Sequence, residues 1–541
     1  MISVNPSRIR PQNRVQTQSD KTPDAQTQTY TAPIGGWVSN TNMAVQDAQT
    51  AVVLENFWPT ATGVVPRGGS KRRVTIPNAV KTLFEYRAGL SKQFFVADKN
   101  NIYAFSDTTL DGTALTAAVS GQSNGDYSFL EMQTDGGSFL SLVNGEDYLQ
   151  VFDGMSWQQV TDASTPFAVT NVDTRHLSHV WAYNNRQFFV QKDSMNAWYL
   201  GVNSVAGPAT KLPLAGVFRK GGSLLFGASW SSDSGEDMND RCVFVTDQGE
   251  FAVYHGDPAS AATWNYDGVY DLGEPLGPRA IMTVGGDLII ATKAGLIPLS
   301  AAVQKDVAEL KLMALSRAID PDWRHEVILT EQTEGWRVEK WNSRNMALVI
   351  PPLAHTDRAY SFVVNLETGA WAKFTGWRVN DLHLLGDSLH YGTEEGVVYQ
   401  CDVGGTDDGD LILCRMCLAF DHLNGGAAFK TAHLVRGTFR HKVPFCVQFS
   451  IGTNYRPDFP AAPNSAFASE GVEATWDVAT WDQDYWASEL ADWQISEDWE
   501  NVSGHGHALA VQMQITSGAP YKAVCELVSI DMTYSVGQVL T

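Results

Sequence analysis

The stretch GQSNG at 121–125 has the G-x-S-x-G form of a nucleophile elbow. That device needs a strand before the serine and a helix after it, to hold the hydroxyl in a strained turn. Here DYSFLEMQ follows at 126–133 and reads as another strand, so a polar inter-strand loop is expected. Cys414 and Cys417 in LCRMCL have C-x-x-C spacing, but no second pair at metal-site spacing accompanies them. On a strand, a three-residue step sends the two thiols to opposite faces, which predicts buried cysteines. His505 and His507 in GHGH would share a face if extended, with no third ligand in view. The carboxylates of DVGGTDDGD (402–410) lack the spacing of a calcium loop and read as a solvated interdomain loop.

The richest stretch is ATWDVATWDQDYWASELADWQISEDWEN (474–501), with Trp476, Trp481, Trp486, Trp493 and Trp499. It lies in a segment, 457–521, that contains no Lys or Arg against eleven Asp and Glu. Tryptophan beside carboxylates suits sugar, with rings stacking on apolar faces and acids accepting hydroxyl protons. The same rings also suit a sheet or subunit interface, where Trp is enriched. Carboxylate pairs run glycosidases, but their separation is not readable from sequence. No phosphate-binding loop, zinc-protease helix or dinucleotide fingerprint is present. The sequence therefore nominates no catalytic, cofactor-binding or metal-ligating residue.

Composition narrows the classes further. Apolar residues make up 44% of the 541-residue chain and charged residues 18%, as expected of a globular protein. The net charge of −22 excludes an overall basic nucleic-acid footprint, because affinity for phosphate comes from Lys and Arg. Arg67, Lys71, Arg72 and Arg73 form the one concentrated positive cluster, suited to nucleic acid, to an acidic neighbour or simply to a solvated turn. The opening MISVNPSRIRPQNRV lacks an apolar core, and no stretch reaches the roughly 18 apolar residues of a membrane helix. Six cysteines in this length do not form a disulfide framework, which leads to the expectation of a soluble protein made in a reducing cytoplasm.

These residues must be positioned by a mainly β chain. Residues 1–31 are polar and read as a flexible arm, either untethered or ordered on a neighbouring subunit. From 80 to 409, apolar strand pairs are joined by polar turns, as in KQFFVADKNNIYAFS (92–106) and HVWAYNNRQFFVQKDSMNAWYL (179–200). The units recur at roughly 45–50 residues, the period of four-stranded blades. A β-propeller of about seven blades is expected, with six or eight also fitting; a series of β-sandwiches is the alternative. SAAVQKDVAELKLMALSRAIDPDWR predicts a helical insertion near 300–318, ended by Asp-Pro. Residues 410–541 read as a β-sandwich-like region carrying the acidic Trp-rich insertion.

The segment 32–79 contains APIGGW…DAQTAVVLENFWPTATGVVPRGGSKR, and these residues carry a resemblance. A Gly-Gly start, a D-A…LEN-aromatic-Pro stretch and a G-x-x-x-x-R-x-G turn match Gly35, Gly36, Asp47, Ala48, Leu54, Glu55, Asn56, Phe57, Trp58, Pro59, Gly63, Arg67 and Gly69. The pattern resembles the entry signature of podovirus tail nozzle proteins, also called packaged-DNA stabilization or tail tubular proteins. ATWDVATWD, VSGHGHALAVQMQI and VSIDMTYSVGQVL at the other end look similar to the ending of the same family.

The resemblance implies a non-enzymatic virion tail protein, made in the host bacterial cytoplasm. It implies a homo-oligomer, a hexamer, below a tail adaptor ring and near tail fibre or spike proteins. Phage DNA would pass through the lumen without sequence-specific binding. The entry segment is expected to lead into the first blade, with Arg67 paired to a carboxylate such as Glu55. The rival readings are a receptor- or glycan-binding tail protein using the tryptophans, and a glycosidase or lyase on a propeller.

Overall fold

The computed structural model describes residues 25–537 apart from 90, 107, 110–111, 234–237, 305–306, 332, 334, 353–358, 424, 426, 443–444, 464–492 and 519–523. Its body is a seven-bladed β-propeller. Blades 1 to 4 are antiparallel four-stranded sheets whose innermost strands are Thr82–Ala88, Ser128–Thr134, Leu177–Tyr183 and Leu224–Asp233. Blade 5 has three strands starting at Ile281–Val284, and blade 6 has four starting at Arg337–Trp341. Blade 7 takes three strands from 381–401 and its outermost strand, Ser70–Thr75, from far upstream.

The apolar runs are continuous because each blade is covered on both faces. In the second strand of blade 3, RQFFVQ, Phe188, Phe189 and Val190 are all fully buried. Alternation sends Phe188 and Val190 into the core shared with blade 4, and Phe189 into the core shared with blade 2. The same division recurs around the ring. Seven inter-blade cores are found, one for each pair of neighbours, including that between blades 7 and 1, where Val398 and Leu385 meet Leu83 and Val96. The circle is therefore closed by side-chain packing as well as by Ser70–Thr75. Each fully buried Phe or Val contributes about 1.5–3 kcal/mol by leaving water.

Among the described residues blade 5 has no fourth strand, and helical segments take its place. Leu299–Gln304, Val307–Met313, the 3-10 turn Leu315–Ile319 and Asp320–Leu329 follow its outer strand Gly295–Pro298 and pack against it. Leu299, Ala302 and Leu310 enter the core between blades 4 and 5. Asp320-Pro321 was expected to end the helix near 318 but starts the last one, because the first turn of a helix has no use for the N–H that proline lacks.

The second unit is a β-sandwich. One sheet contains Lys430–His441 and Cys525–Val536, flanked by Gln494–Ser496, Trp499–Gly506 and the hairpin Phe57–Pro59/Val64–Pro66. The other runs Ala51–Glu55, Asp410–Leu418, Leu509–Ser517, Val447–Thr453. Ala51–Glu55 also touches blade 6, Glu55 pairing with Lys373, so one sheet continues from propeller into sandwich.

Two expectations are corrected here. The end of the supposed flexible arm is a strand, Gln26–Thr31, laid antiparallel along Cys525–Val536 with Gln26 opposite Tyr534. The segment 32–79 does not simply lead into blade 1: its strands build the sandwich and then close blade 7. Gly36 shows why glycine is needed on that path. It has φ +73°, and a Cβ there would lie 2.5 Å from the Trp371 carbonyl oxygen.

Candidate functional site

The motifs singled out for chemistry settle into structural roles. GQSNG joins the outer strand of blade 1 to the inner strand of blade 2, with no helix after it. The Ser123 and Asn124 amides donate to the Asp147 carboxylate, at 2.8 and 3.3 Å. Cys414 and Cys417 point to opposite faces of their strand, into separate cores, and burial pushes both thiols up to about 12. His505 and His507 flank the Phe429 ring, with centroids 4.9 and 4.0 Å away. Asp402, Asp407 and Asp408 pair with Arg344, Arg67 and Arg72. Among the described residues, no group of three or more His, Cys, Asp or Glu is placed to hold a metal ion.

Trp476, Trp481 and Trp486 lie outside the described residues. Trp493 and Trp499 are 44% and 42% exposed, and guanidinium groups lie over them: Arg440 over Trp493 at 4.8 Å and Arg436 over Trp499 at 4.9 Å. One face of each ring is thereby occupied.

The entry motif converges on Arg67, which is buried. Its guanidinium binds Asp407 with both Nη atoms, at 3.0 and 2.6 Å, and donates through Nε to Asn56 Oδ1 at 2.8 Å. Nη1 also donates to the Gly68 carbonyl and Nη2 to that of Thr375. The Trp377 ring lies 4.8 Å below. Asn56, at φ 58°, completes the knot by donating to Thr375 Oγ1 and the Leu413 carbonyl. The expected Arg67–Glu55 pair does not form; Glu55 takes Arg415 at 2.6 Å. A planar five-donor group is what can tie blade 6, blade 7 and the sandwich at one point. Nor do the other cluster members form a free basic patch: Arg72 pairs with Asp408, and Lys71, Arg72 and Arg73 sit on the closing strand of blade 7.

A concave feature lies at the mouth of the axial channel, a funnel of about 470 Å³ at the end where the inner strands begin. Six of the seven blades line it, with Lys81, Asp126, Lys192, Arg279, Arg337 and Glu394 as its charged groups. At its floor Asp381 is fully buried between Arg279 Nη2 at 2.8 Å and Arg337 Nε at 2.9 Å, and it accepts from the Leu83 amide at 2.7 Å. Blades 5, 6, 7 and 1 meet on that one carboxylate. Arg337 also reaches Asp126, at 2.9 Å, and its pKa is pulled down by burial and by Arg279 beside it. Below, Phe129 of blade 2 meets His383 of blade 7 across the axis at 5.1 Å, and Arg279 of blade 5 lies 5.9 Å from the same ring. Side chains thus meet across the axis below the funnel.

Two histidines on inner strands respond oppositely to this burial. His179 Nε2 donates to the Gly227 carbonyl at 2.9 Å while Nδ1 faces Ser128 Oγ at 3.1 Å, an arrangement that suits the neutral ring. Burial pushes its pKa down from 6.5 to about 4. For His383 burial also disfavours the charge, but Glu339 at 3.4 Å more than offsets it and the pKa is raised. The His179 shift fixes a pH dependence. The unfolded chain takes the proton as pH falls through 6.5 and the folded one only near 4, so stability is full above that window and declines across it, by about 3 kcal/mol in total. Urea unfolding of wild type and His179→Gln across that range is expected to show a shallower acid loss in the variant; parallel curves would contradict the assignment.

Of the funnel residues, motif reading had touched only Asn124, within GQSNG. For Arg337, Asp381 and His179 the signal was a polar residue inside the first strand of a blade, as in WRVEKW, NDLHLL and LSHVWAY.

No family model matches the chain, and no curated protein matches it. Among solved structures it is similar to BBS1N, determined in complex with ARL6DN, at 9% identity over 65% of this chain and 97% of that one, with a TM-score of 0.37. It is also similar to YCF48 bound to D1 peptide, at 11% identity over 62% and 94%, with a TM-score of 0.35. The propeller assignment rests on the strand pairing and inter-blade cores of this chain.

Proposed function

We propose that the chain is a structural subunit of a virion tail, forming an oligomeric nozzle ring that retains packaged DNA and conducts it during ejection. The observation that carries this reading is where the two resembling ends fall. Residues 51–66 and the described parts of the C-terminal stretch, 493–518 and 524–536, build one sandwich strand against strand, so the resemblance follows a single folded unit.

Charge supports the same reading. A wall with a net −22 per subunit repels phosphate and lets DNA slide without adhering. The conduit would lie between subunits, because Phe129, His383 and Arg279 meet across the axis of each propeller. The glycan-binding alternative gains less, since Trp493 and Trp499 each already have a guanidinium over the ring.

Quantitative mass spectrometry of purified phage particles tests the proposal. The chain is expected at a fixed ratio to the portal protein; its absence from intact particles would overturn the reading.

A further inference from the structure

We propose that the axial funnel binds a small multivalent oxyanion, a phosphorylated or polycarboxylate molecule, held by Lys81, Lys192, Arg279 and Arg337. The inference does not depend on the tail reading. Its first support is charge: the funnel gathers four cations against Asp126 and Glu394 at its wall, in a chain that is otherwise strongly acidic. Adding the floor carboxylate Asp381 still leaves a positive excess.

The second support is unmet hydrogen bonding. Arg279 and Arg337 share the single buried carboxylate of Asp381, and Arg279 Nη1 is buried with no hydrogen-bond partner. Arg337's other acid, Asp126, is half-exposed at the rim. Lys81, a half-buried residue of the wall, has no ion pair among the described residues, while Lys192 has a 3.3 Å contact with the exposed Glu146. A buried donor without an acceptor is costly, and an entering oxyanion would supply acceptors where the surrounding protein weakens screening.

Shape gives the third support. About 470 Å³ is the size of a small-ligand pocket, and the floor is closed by the Phe129–His383 contact, so the funnel is a dead end suited to a compact molecule. His179 is already satisfied by Ser128 and Gly227 and takes no part.

Isothermal titration calorimetry of the intact protein with pyrophosphate and with citrate tests the proposal. Saturable binding is expected. Lys81→Ala and Lys192→Ala should each weaken it about tenfold, as loss of a charge-assisted contact does, without moving the unfolding midpoint. Lys71→Ala, on the closing strand of blade 7, should leave it unchanged. Stronger binding of pyrophosphate would assign a phosphorylated ligand, and stronger binding of citrate a polycarboxylate. No binding of either anion at millimolar concentration, or binding undiminished in the Lys81/Lys192 double variant, would overturn the site.

Discussion

Replacing Arg67 with methionine is expected to destabilise the protein by about 3–5 kcal/mol, the cost of breaking a buried ion pair from one side. The substitution keeps much of the apolar stem but strands the groups that the guanidinium satisfies. Among the described residues Asp407 would keep Ser70 Oγ and the Trp377 indole N–H as side-chain donors, and Asn56 Oδ1 would lose its Nε donor. The Gly68 and Thr375 carbonyls would lose theirs as well. Because Asp407 lies between the propeller and the sandwich, backbone hydrogen exchange should rise both in Ser70–Thr75 and in Asp410–Leu418. The control is Arg72→Met, a few residues along the chain. That side chain is 41% exposed and pairs with the part-exposed Asp408, so its loss should cost no more than about 1 kcal/mol. Equal urea midpoints for the Arg67 and Arg72 variants would refute the role given to Arg67.

Asp381→Asn is expected to be as damaging, again by about 3–5 kcal/mol. The amide can still accept from the Leu83 N–H, but it removes the negative charge that Arg279 and Arg337 share, leaving two guanidiniums facing each other at the channel floor. The four blades that meet on Asp381 include both sides of the ring closure between blades 7 and 1, so the lesion should open the circle there. Urea unfolding midpoints check it, with Asp387→Asn in the exposed turn after the same strand expected to stay within about 0.5 kcal/mol of wild type. A midpoint for Asp381→Asn indistinguishable from that control would show that the buried network does not hold the ring.

Much of the propeller was legible because its determinants are local. In AYNNRQ the turn needs two residues with positive φ, and Asn184 and Asn185 supply them at 47° and 54°. The doubly buried run Phe188–Phe189–Val190 has the unbroken apolar character of a strand covered on both faces. The closing strand was not legible. SKRRVT looks like a basic turn because it is an outer strand, and its partner Val397–Cys401 lies more than 300 residues away. The same distance hid the partner of Arg67: Glu55 was near in sequence, whereas Asp407 is near only in the fold. The Asp-Pro at 320–321 misled because proline ends a helix interior yet fits a helix start. Apart from Asn124 in GQSNG, the funnel escaped motif reading, since its lining is spread over six blades.

The mass of the native assembly tests the central claim most directly. Native mass spectrometry of the purified protein, alone and mixed with adaptor rings, is expected to give one closed species of about six copies. A chain that stays monomeric at every concentration, with or without the adaptor, would contradict it.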